Sequence, residues 1–238
     1  MFDPFNDFER SGYLRNLYGE KDPEIIRELE HTMFRAGLDD ALAYLESRGT
    51  LCYQDFLEVH KILFQEFYPW AGQDRQITAP NCSVSKAGTV FCHPQDARRA
   101  VDEGLRIGQD KDSMFKRPGD VMGFFAYGHP FLDGNGRTML IIHSELCHRA
   151  GFSINWHLTN KMDYLKALSA EIESPLKGHL DSYLEPFKGQ SQDRVSWGET
   201  IHDLQGLDGQ SIKNTVDGEY SDKLVAEKYQ SFDFNRGL

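Results

Sequence analysis

Nine consecutive residues, His129 to Arg137, carry side chains that together could handle a phosphate. His129 has a side chain whose pKa range suits a general base near neutral pH. Asp133 offers a hard oxygen ligand for a divalent cation, usually Mg²⁺ where phosphates are present. Arg137 offers a rigid fork of donors for phosphate oxygens. The combination predicts a phosphate-handling site.

The backbone between these side chains is also suited to an anion. Gly134 and Gly136 flank Asn135, and glycines allow backbone angles that are closed to most residues, so that successive N–H groups can converge on one point. A helix that begins here adds its unpaired N–H groups and its dipole. Gly134, Asn135 and Gly136 are therefore predicted to form a phosphate cradle. A lone Asp-Gly or Asn-Gly pair usually marks a turn, but a plain turn has no use for the base, the acid and the arginine together.

Two predicted helices hold this loop. Residues 120–127 are apolar enough for a buried helix, and residues 138–150 carry apolar side chains at helical spacing. The loop between them, from His129 to Arg137, is thus placed at the end of one helix and the start of the next.

The loop resembles the signature of the Fic family (Fido superfamily), H-x-F-x-[DE]-G-N-G-R-x-x-R, at seven of its eight specified positions. The Tyr-Pro-Trp-Ala-Gly-x-x-Arg run that ends at Arg75 is similar to runs that recur in that family. The resemblance implies a nucleotidyltransferase, a protein adenylyltransferase that moves AMP from ATP onto a Ser, Thr or Tyr hydroxyl of a target protein. It implies that His129 is the base, that Asp133 holds Mg²⁺ against the phosphates, and that the cradle consists of Gly134, Asn135, Gly136 and Arg137.

The last position of the signature differs. Leu140 stands where the family has a second arginine, which grips the γ-phosphate and pairs with an inhibitory glutamate, and a leucine cannot replace a guanidinium. A second hypothesis is therefore a Fic enzyme that uses another nucleotide or another diphosphate-containing donor. A third, of a different class, is a non-catalytic module that binds a peptide. Such a module would gain nothing from keeping the base, the acid and the arginine in register.

A β-hairpin is predicted from the alternation of residues 83–86 and 89–91 about a turn. By resemblance it is the Fic flap, whose edge holds a segment of the target protein by strand addition. The alternative is a surface hairpin without a function. The residues predicted to contact the target or the nucleotide are Ser85, Lys86, Ala87, Gly88 and Thr89.

The remaining periodicity predicts a mainly α fold, a Fic-type helical domain of about eight helices with one β-hairpin flap beside the active site. Gly37 is expected to end the first helix, and His60 is expected to pack in the core. The predicted helices outside the motif are 23–35, 39–47, 53–67, 94–107, 160–173 and 174–187, with a loop over 108–119. The predicted domains are a Fic domain over 1–188, with its core over 50–188 and N-terminal helices over 1–49, and a C-terminal extension over 189–238 with no assigned role.

Composition narrows the classes of partner. The chain has 238 residues and a net charge of −11, which argues against nonspecific nucleic-acid binding. It has no apolar run long enough for a membrane span and no secretory signal at its start, and its four cysteines lack metal-site spacing. We therefore expect reduced thiols and a protein without nucleic-acid or membrane partners. The predicted location is the cytoplasm, of the producing cell or of a host cell.

Many Fic enzymes are inhibited by a helix with the pattern [ST]-x-x-x-E-[GN], and no full match occurs in this chain. Residues 215–220 match in part, but a glycine in their middle disfavours a helix. Residues 169–174 also match in part, but they read as part of the helical core. A separate inhibitory antitoxin protein is therefore a candidate partner, and the alternative is that no inhibitor is needed.

Overall fold

Helices dominate the computed structural model, which describes residues 15–86, 89–194, 196–197, 201 and 215–236. The helices are α1 (Pro23–Ser47), α2 (Tyr53–Phe64), α3 (Arg75–Thr78), α4 (Pro94–Gly108), α5 (Lys111–Lys116), α6 (Pro118–Gly128), α7 (Asn135–Arg149), α8 (Lys161–Glu173), α9 (His179–Leu184) and α10 (Lys223–Arg236). The strands are β1 (Cys82–Lys86), β2 (Thr89–Val90), β3 (Phe152–Ile154), β4 (Lys188–Gln190) and β5 (Thr215–Glu219). The prediction of a mainly helical fold with a hairpin is confirmed.

Helices α6 and α7 hold the motif loop, as predicted. Helix α6 ends at Gly128, and the next residue, His129, turns the chain with a φ of 39°. Helix α7 begins directly after Gly134, whose φ is 76°. Phe125 and Phe131 are fully buried beside the loop, so the loop is fastened to the hydrophobic core.

Helix α1 is longer than predicted, because Gly37 does not end it. A Cβ atom on Gly37 would lie 2.7 Å from the carbonyl oxygen of Ile62 and 3.2 Å from the Cα of Leu63. Glycine at this position therefore lets α1 approach the backbone of α2 closely. The helix begins as predicted, with the Asp22 side chain accepting hydrogen bonds from the first-turn N–H groups.

Other boundaries also needed correction. The third predicted helix stops at Phe64 rather than at residue 67, and the expected loop over 108–119 contains α5. The predicted helix over 174–187 is replaced by α9 and a short 3₁₀ turn, Glu185–Phe187. The pairing of β3 with β4 was not predicted.

The hairpin belongs to a three-stranded antiparallel sheet with the order β2-β1-β5. Ser85 pairs with Val90 and Lys86 with Thr89, which confirms the predicted hairpin. Its turn, Ala87 and Gly88, lies outside the described residues. The third strand comes from the C-terminal extension, over 130 residues further along the chain.

Two further predictions can be compared with the structure. None of the four cysteines, all of which lie in the described part of the chain, forms a disulfide, as expected. Among the described residues, no helix combines the length and the apolar character needed to cross a bilayer.

Candidate active site

Both the ring and the backbone of His129 are held by neighbouring residues. Its ring stacks face to face on Phe91, with 3.6 Å between ring centroids and 3° between planes, and only 6% of the residue is exposed. Its backbone carbonyl accepts a 2.7 Å hydrogen bond from Nε of Arg75, a fully buried arginine that also donates to the Cys92 carbonyl at 2.8 Å. The sequence pointed to the run ending at Arg75, but not to this role in holding the backbone of His129.

The loop after His129 is closed by the side chain of Asn135. Its Oδ1 accepts a 2.9 Å hydrogen bond from the backbone N–H of Phe131, and its Nδ2 donates to the Phe131 carbonyl at 2.7 Å. The Asn135 side chain is therefore structural, and only its backbone N–H, at the first residue of α7, is left for the predicted cradle.

The two glycines of the loop have different surroundings. A Cβ atom on Gly134 would lie 2.6 Å from Phe64 and 3.0 Å from Nε2 of His60, and the φ of 76° already disfavours a side chain. A Cβ atom on Gly136 would have no neighbour within 4 Å. Gly134 is therefore required by the fold, whereas Gly136 borders open space at the start of α7, as a cradle for a ligand requires.

The buried side chain of His60 packs against the motif loop and hydrogen-bonds to it. Its Nδ1 accepts a 2.9 Å hydrogen bond from the N–H of Gly72, so its Nε2 carries the proton and donates to the Asp133 carbonyl at 3.1 Å. The ring stacks on Phe131 at 3.7 Å. Burial lowers the pKa of His60 to about 3, so the ring is neutral. The expectation that His60 packs in the core is confirmed.

Arg137 has one fixed side and one donor that no described residue uses. Its Nη2 donates to Oε1 of Glu30 on α1 at 2.6 Å, and its guanidinium lies over the rings of Phe34 and Phe64 at 5.4 and 4.7 Å. Its Nη1 is buried and has no hydrogen-bond partner in the described part of the chain. A buried donor without an acceptor is costly, which is the state expected where a ligand supplies the acceptor.

Glu30 was missed from the sequence, because its single charge on an amphipathic helix looks like any surface glutamate. Burial raises the pKa of the Glu30 carboxyl, and the Arg137 guanidinium opposes that shift. For Arg137, burial alone would lower the pKa, but Glu30 and Asp133 outweigh it and the pKa is raised. The guanidinium is therefore charged, and Glu30 is its fixed counter-ion.

Asp133 is the exposed acid of the site, with 44% of its side chain accessible. Its Oδ1 accepts from the N–H of Gly134 at 2.7 Å and lies 3.9 Å from Nη2 of Arg137. Mg²⁺ near phosphates is usually held by one or two carboxylates, with phosphate and water oxygens completing its shell. One exposed carboxylate beside a helix N-terminus fits that pattern. The described residues contain no cluster of three or more acidic, histidine or cysteine side chains that would hold a metal by themselves.

Of the predicted contact residues on the flap, Lys86 lies within electrostatic range of the motif loop. Burial lowers the pKa of Lys86, and Asp133, Arg137 and Lys161 are close enough to influence it electrostatically. Ser85 is buried, and the hydroxyl of Thr89 donates to Ser169 on α8 at 3.1 Å, so Thr89 packs against a helix. Ala87 and Gly88 lie outside the described residues.

Position 140 and the two partial matches to the inhibitory pattern each differ from what the family pattern would require. Leu140 is 7% exposed and belongs to the hydrophobic core. The inhibitory-helix hypothesis for residues 215–220 is wrong, because Thr215–Glu219 is a strand. Glu173 of the other partial match is an exposed residue at the end of α8.

Fold and site together define a helical domain in which a histidine ends one helix, and a short loop leads from it to the start of the next helix and a buried arginine. Residues 50–147 match the family model described as Fic/DOC family. Residues 50–147 are therefore similar to the Fic domain, as the motif predicted.

Comparisons with known proteins agree with this assignment. The chain is 28% identical over 181 residues to protein adenylyltransferase VbhT of Bartonella schoenbuchensis, covering 69% of this chain and 35% of that protein. It is 28% identical over 170 residues to probable protein adenylyltransferase y4lH of Sinorhizobium fredii, covering 68% and 82%. The chain thus spans about a third of the first relative. Its fold is similar to that of the N-terminal Fic domain of a VirB-translocated Bep effector from Bartonella quintana, solved with bound ADP, with a TM-score of 0.64 at 19% identity over 78% of this chain and 94% of that one.

Proposed function

We propose that this chain is a protein adenylyltransferase that transfers AMP from ATP to a Ser, Thr or Tyr hydroxyl of a target protein. The observation that carries the proposal is the position of His129 directly before a loop that ends on the open N-terminus of α7 and on Arg137, with its unused Nη1 donor. The names of two relatives, each 28% identical, support the same activity.

In the proposed reaction, His129 accepts the proton of the target hydroxyl as its oxygen attacks the α-phosphorus of ATP. The bond from that phosphorus to the bridging oxygen breaks, pyrophosphate leaves, and the product is an AMP ester of the target. The N–H groups at the start of α7 and Nη1 of Arg137 hold phosphate oxygens, so the rate comes mainly from positioning and charge stabilisation.

Other residues keep those groups in place. Stacking on Phe91 fixes the His129 ring, while Arg75 fixes the backbone of His129 and Glu30 fixes Arg137. When bound, Mg²⁺ would be held by Asp133 and would neutralise charge on the phosphates. Lys86 reaches the same region from the flap and adds a second cationic side chain.

The position of a radioactive label in ATP tests the reaction type. With α-labelled ATP, Mg²⁺ and a cell lysate, the wild type should label more protein than the lysate alone, and with γ-labelled ATP it should add nothing to the labelling by the lysate's own kinases. His129→Ala should lower the rate by about 10²- to 10⁴-fold, whereas the control His157→Ala, at an exposed histidine, should leave it unchanged. Labelling that survives His129→Ala would refute the assignment, and binding of proteins without any label would favour the peptide-binding module.

A second candidate function keeps the site and changes the donor. It is favoured by the burial of Leu140 in the core, because position 140 then supplies no cation for a terminal phosphate. Competition of labelled ATP with unlabelled ATP, UTP, GTP and ADP separates the two proposals. Unlabelled ATP should reduce the labelling most under the first proposal, and another nucleotide should do so under the second. The target is proposed to bind at the hairpin flap, and a separate inhibitory protein stays a prediction.

A further inference from the structure

Strand β1 of the flap already has a partner on each of its edges. Strand β2 pairs on one side, and β5, from the C-terminal extension, pairs antiparallel on the other. Cys82 lies opposite Glu219, and Ser85 lies opposite Thr215. Strand β2 in turn leans on α8 through the contact of Thr89 with Ser169. In the described structure, the edge of β1 that faces away from β2 is therefore covered by the chain itself from Cys82 to Ser85.

Residues that follow β5 make further contacts with the residues on either side of the hairpin. The N–H of Tyr220 donates to the Asn81 carbonyl at 2.9 Å, and the Tyr220 ring lies 4.3 Å from that of His93. The hydroxyl of Tyr229, on α10, donates to the carbonyl of Phe91. Phe91 is the residue whose ring stacks on His129. The extension thus contacts the backbone on which the proposed base depends.

The backbone conformation at Gly218 in β5 requires a glycine. Its φ is 130°, and a Cβ atom there would lie 2.8 Å from Oδ2 of Asp222. The register shifts at the facing residues, between Ser83 and Val84, which marks a β-bulge. A bulge that requires a glycine in this conformation indicates a specific pairing of β5 with β1, because a nonspecific pairing would not require it.

We propose that β5 is a tethered occupant of the target-binding edge of the flap, and that a target binds as an extended segment that displaces residues 215–219. This inference rests on the proposed function, in which the flap holds the target by strand addition. One strand edge accepts one partner, so β5 and a target compete for it. A tethered strand competes at an effective concentration on the order of millimolar, which excludes weakly binding proteins.

A pair of proline substitutions in the full chain tests the competition. Gly218→Pro cannot adopt a φ of 130° and lacks the N–H, so it should release β5. The control is Lys223→Pro, which places the same residue at the first position of α10, where proline is favoured. The probe is a fluorescent synthetic peptide with the sequence of residues 215–222, whose binding is followed by anisotropy.

Gly218→Pro should bind the peptide at least about tenfold more tightly than the wild type and Lys223→Pro. Hydrogen exchange should show faster exchange of the β1 amides in Gly218→Pro but not in Lys223→Pro. Tyr229→Phe, which removes one fastening hydroxyl, should give a smaller gain in the same direction. Equal binding by all variants, or binding by none of them, would overturn the proposal.

Transfer from α-labelled ATP into lysate proteins separates this inference from the function on which it rests. Gly218→Pro should label faster than the wild type, and Lys223→Pro should not. If Gly218→Pro binds the peptide but no variant transfers AMP, the proposed activity is wrong and the covered edge stands. If all variants label equally fast, the activity stands and the covering role of β5 is wrong.

Discussion

Two groups of buried and half-buried ionisable side chains lie around the helices that hold the motif loop, and they differ in charge: one pairs a cation with an anion, and the other brings three carboxyl groups together. The cradle pair consists of Arg137 and Glu30, 2.6 Å apart. The carboxyl cluster consists of Asp120, Glu171 and Asp181, which join the ends of α6, α8 and α9. In this cluster Glu171 accepts from the N–H groups of Leu176 and Leu180, and Asp181 accepts from that of Gly119 at 2.6 Å.

Burial, together with the charges of Asp181 and Glu171, raises the pKa of Asp120 to about 7. A perturbed pKa is a common mark of an active site, but here it accompanies carboxylates that tie loops to helix ends. The cradle pair instead leaves Nη1 of Arg137 without an acceptor among the described residues, beside open space at Gly136. The difference shows that a shifted pKa does not by itself identify a phosphate site, which needs a cationic donor bordering open space; the unpartnered buried atom of the carboxyl cluster, Oδ1 of Asp120, is a carboxyl oxygen.

The largest expected effect comes from breaking the cradle pair. Glu30→Ala leaves the buried Arg137 charge without its counter-ion, which should lower the free energy of unfolding by about 3–5 kcal/mol. The control is Glu28→Ala, at an exposed residue of the same helix, with an effect within about 0.5 kcal/mol. Urea unfolding measures both. Because ATP phosphates can replace the lost charge, added ATP should stabilise Glu30→Ala more than the wild type, and an equal gain would contradict the placement of Arg137 at the phosphates.

Gly134→Ala should break the cradle through its backbone. The φ of 76° and the contact of a Cβ with Phe64 at 2.6 Å combine strain with overpacking, for a loss of about 2–4 kcal/mol in unfolding free energy. Thermal unfolding followed by circular dichroism measures the loss. A melting temperature equal to that of the wild type would mean that the loop does not adopt this conformation.

In the carboxyl cluster, Asp120→Asn should change the pH dependence of stability. The folded chain keeps a proton on Asp120 that the unfolded chain releases near the ordinary carboxyl pKa of about 4, so the unfolding free energy falls as pH rises from about 4 to about 7. Asparagine stays neutral at every pH, so Asp120→Asn should lack this fall, a difference on the order of 2 kcal/mol between pH 5 and pH 8.

Urea unfolding at pH 5 and pH 8 measures this change against the control Asp112→Asn, at an exposed acid of α5. AMP transfer at constant pH should be unchanged in Asp120→Asn, since the cluster is structural. A loss of transfer in a stable Asp120→Asn protein would show that the cluster contributes to the activity after all.

The smallest effect on stability should come from Gly136→Ala. This variant separates residues that the fold requires from residues that border the proposed ligand. A Cβ at position 136 meets no atom within 4 Å, so unfolding should change by less than about 1 kcal/mol. The methyl group does occupy the space proposed for phosphates, so ATP affinity by calorimetry should fall. Unchanged affinity would place the nucleotide elsewhere.

The sequence was most informative where the structure depends on residues that are close together in the chain. The loop from His129 to Arg137 and the hairpin were predictable, because turns, helix starts and alternation are written locally. Gly37 was misread as a helix end because the close approach of α1 to α2 is a tertiary contact. Glu30 was missed for the same reason, since its partner lies 107 positions away.

Strand β5 escaped prediction because it has no regular alternation and contains Gly218, a residue that disfavours strands. Only the edge of β1 makes it a strand. The domain boundary at residue 188, by contrast, stays a prediction.

The central claim is that His129 activates a hydroxyl beside a phosphate cradle, and intact-mass spectrometry tests it most directly. The purified chain is incubated with ATP and Mg²⁺ and with an excess of proteins separated from a lysate, and all masses are recorded over time. The wild type and His157→Ala should add the mass of one AMP to a protein substrate, itself included, and His129→Ala should add none. Addition of AMP by His129→Ala at the wild-type rate, or addition of a phosphate instead, would contradict the account.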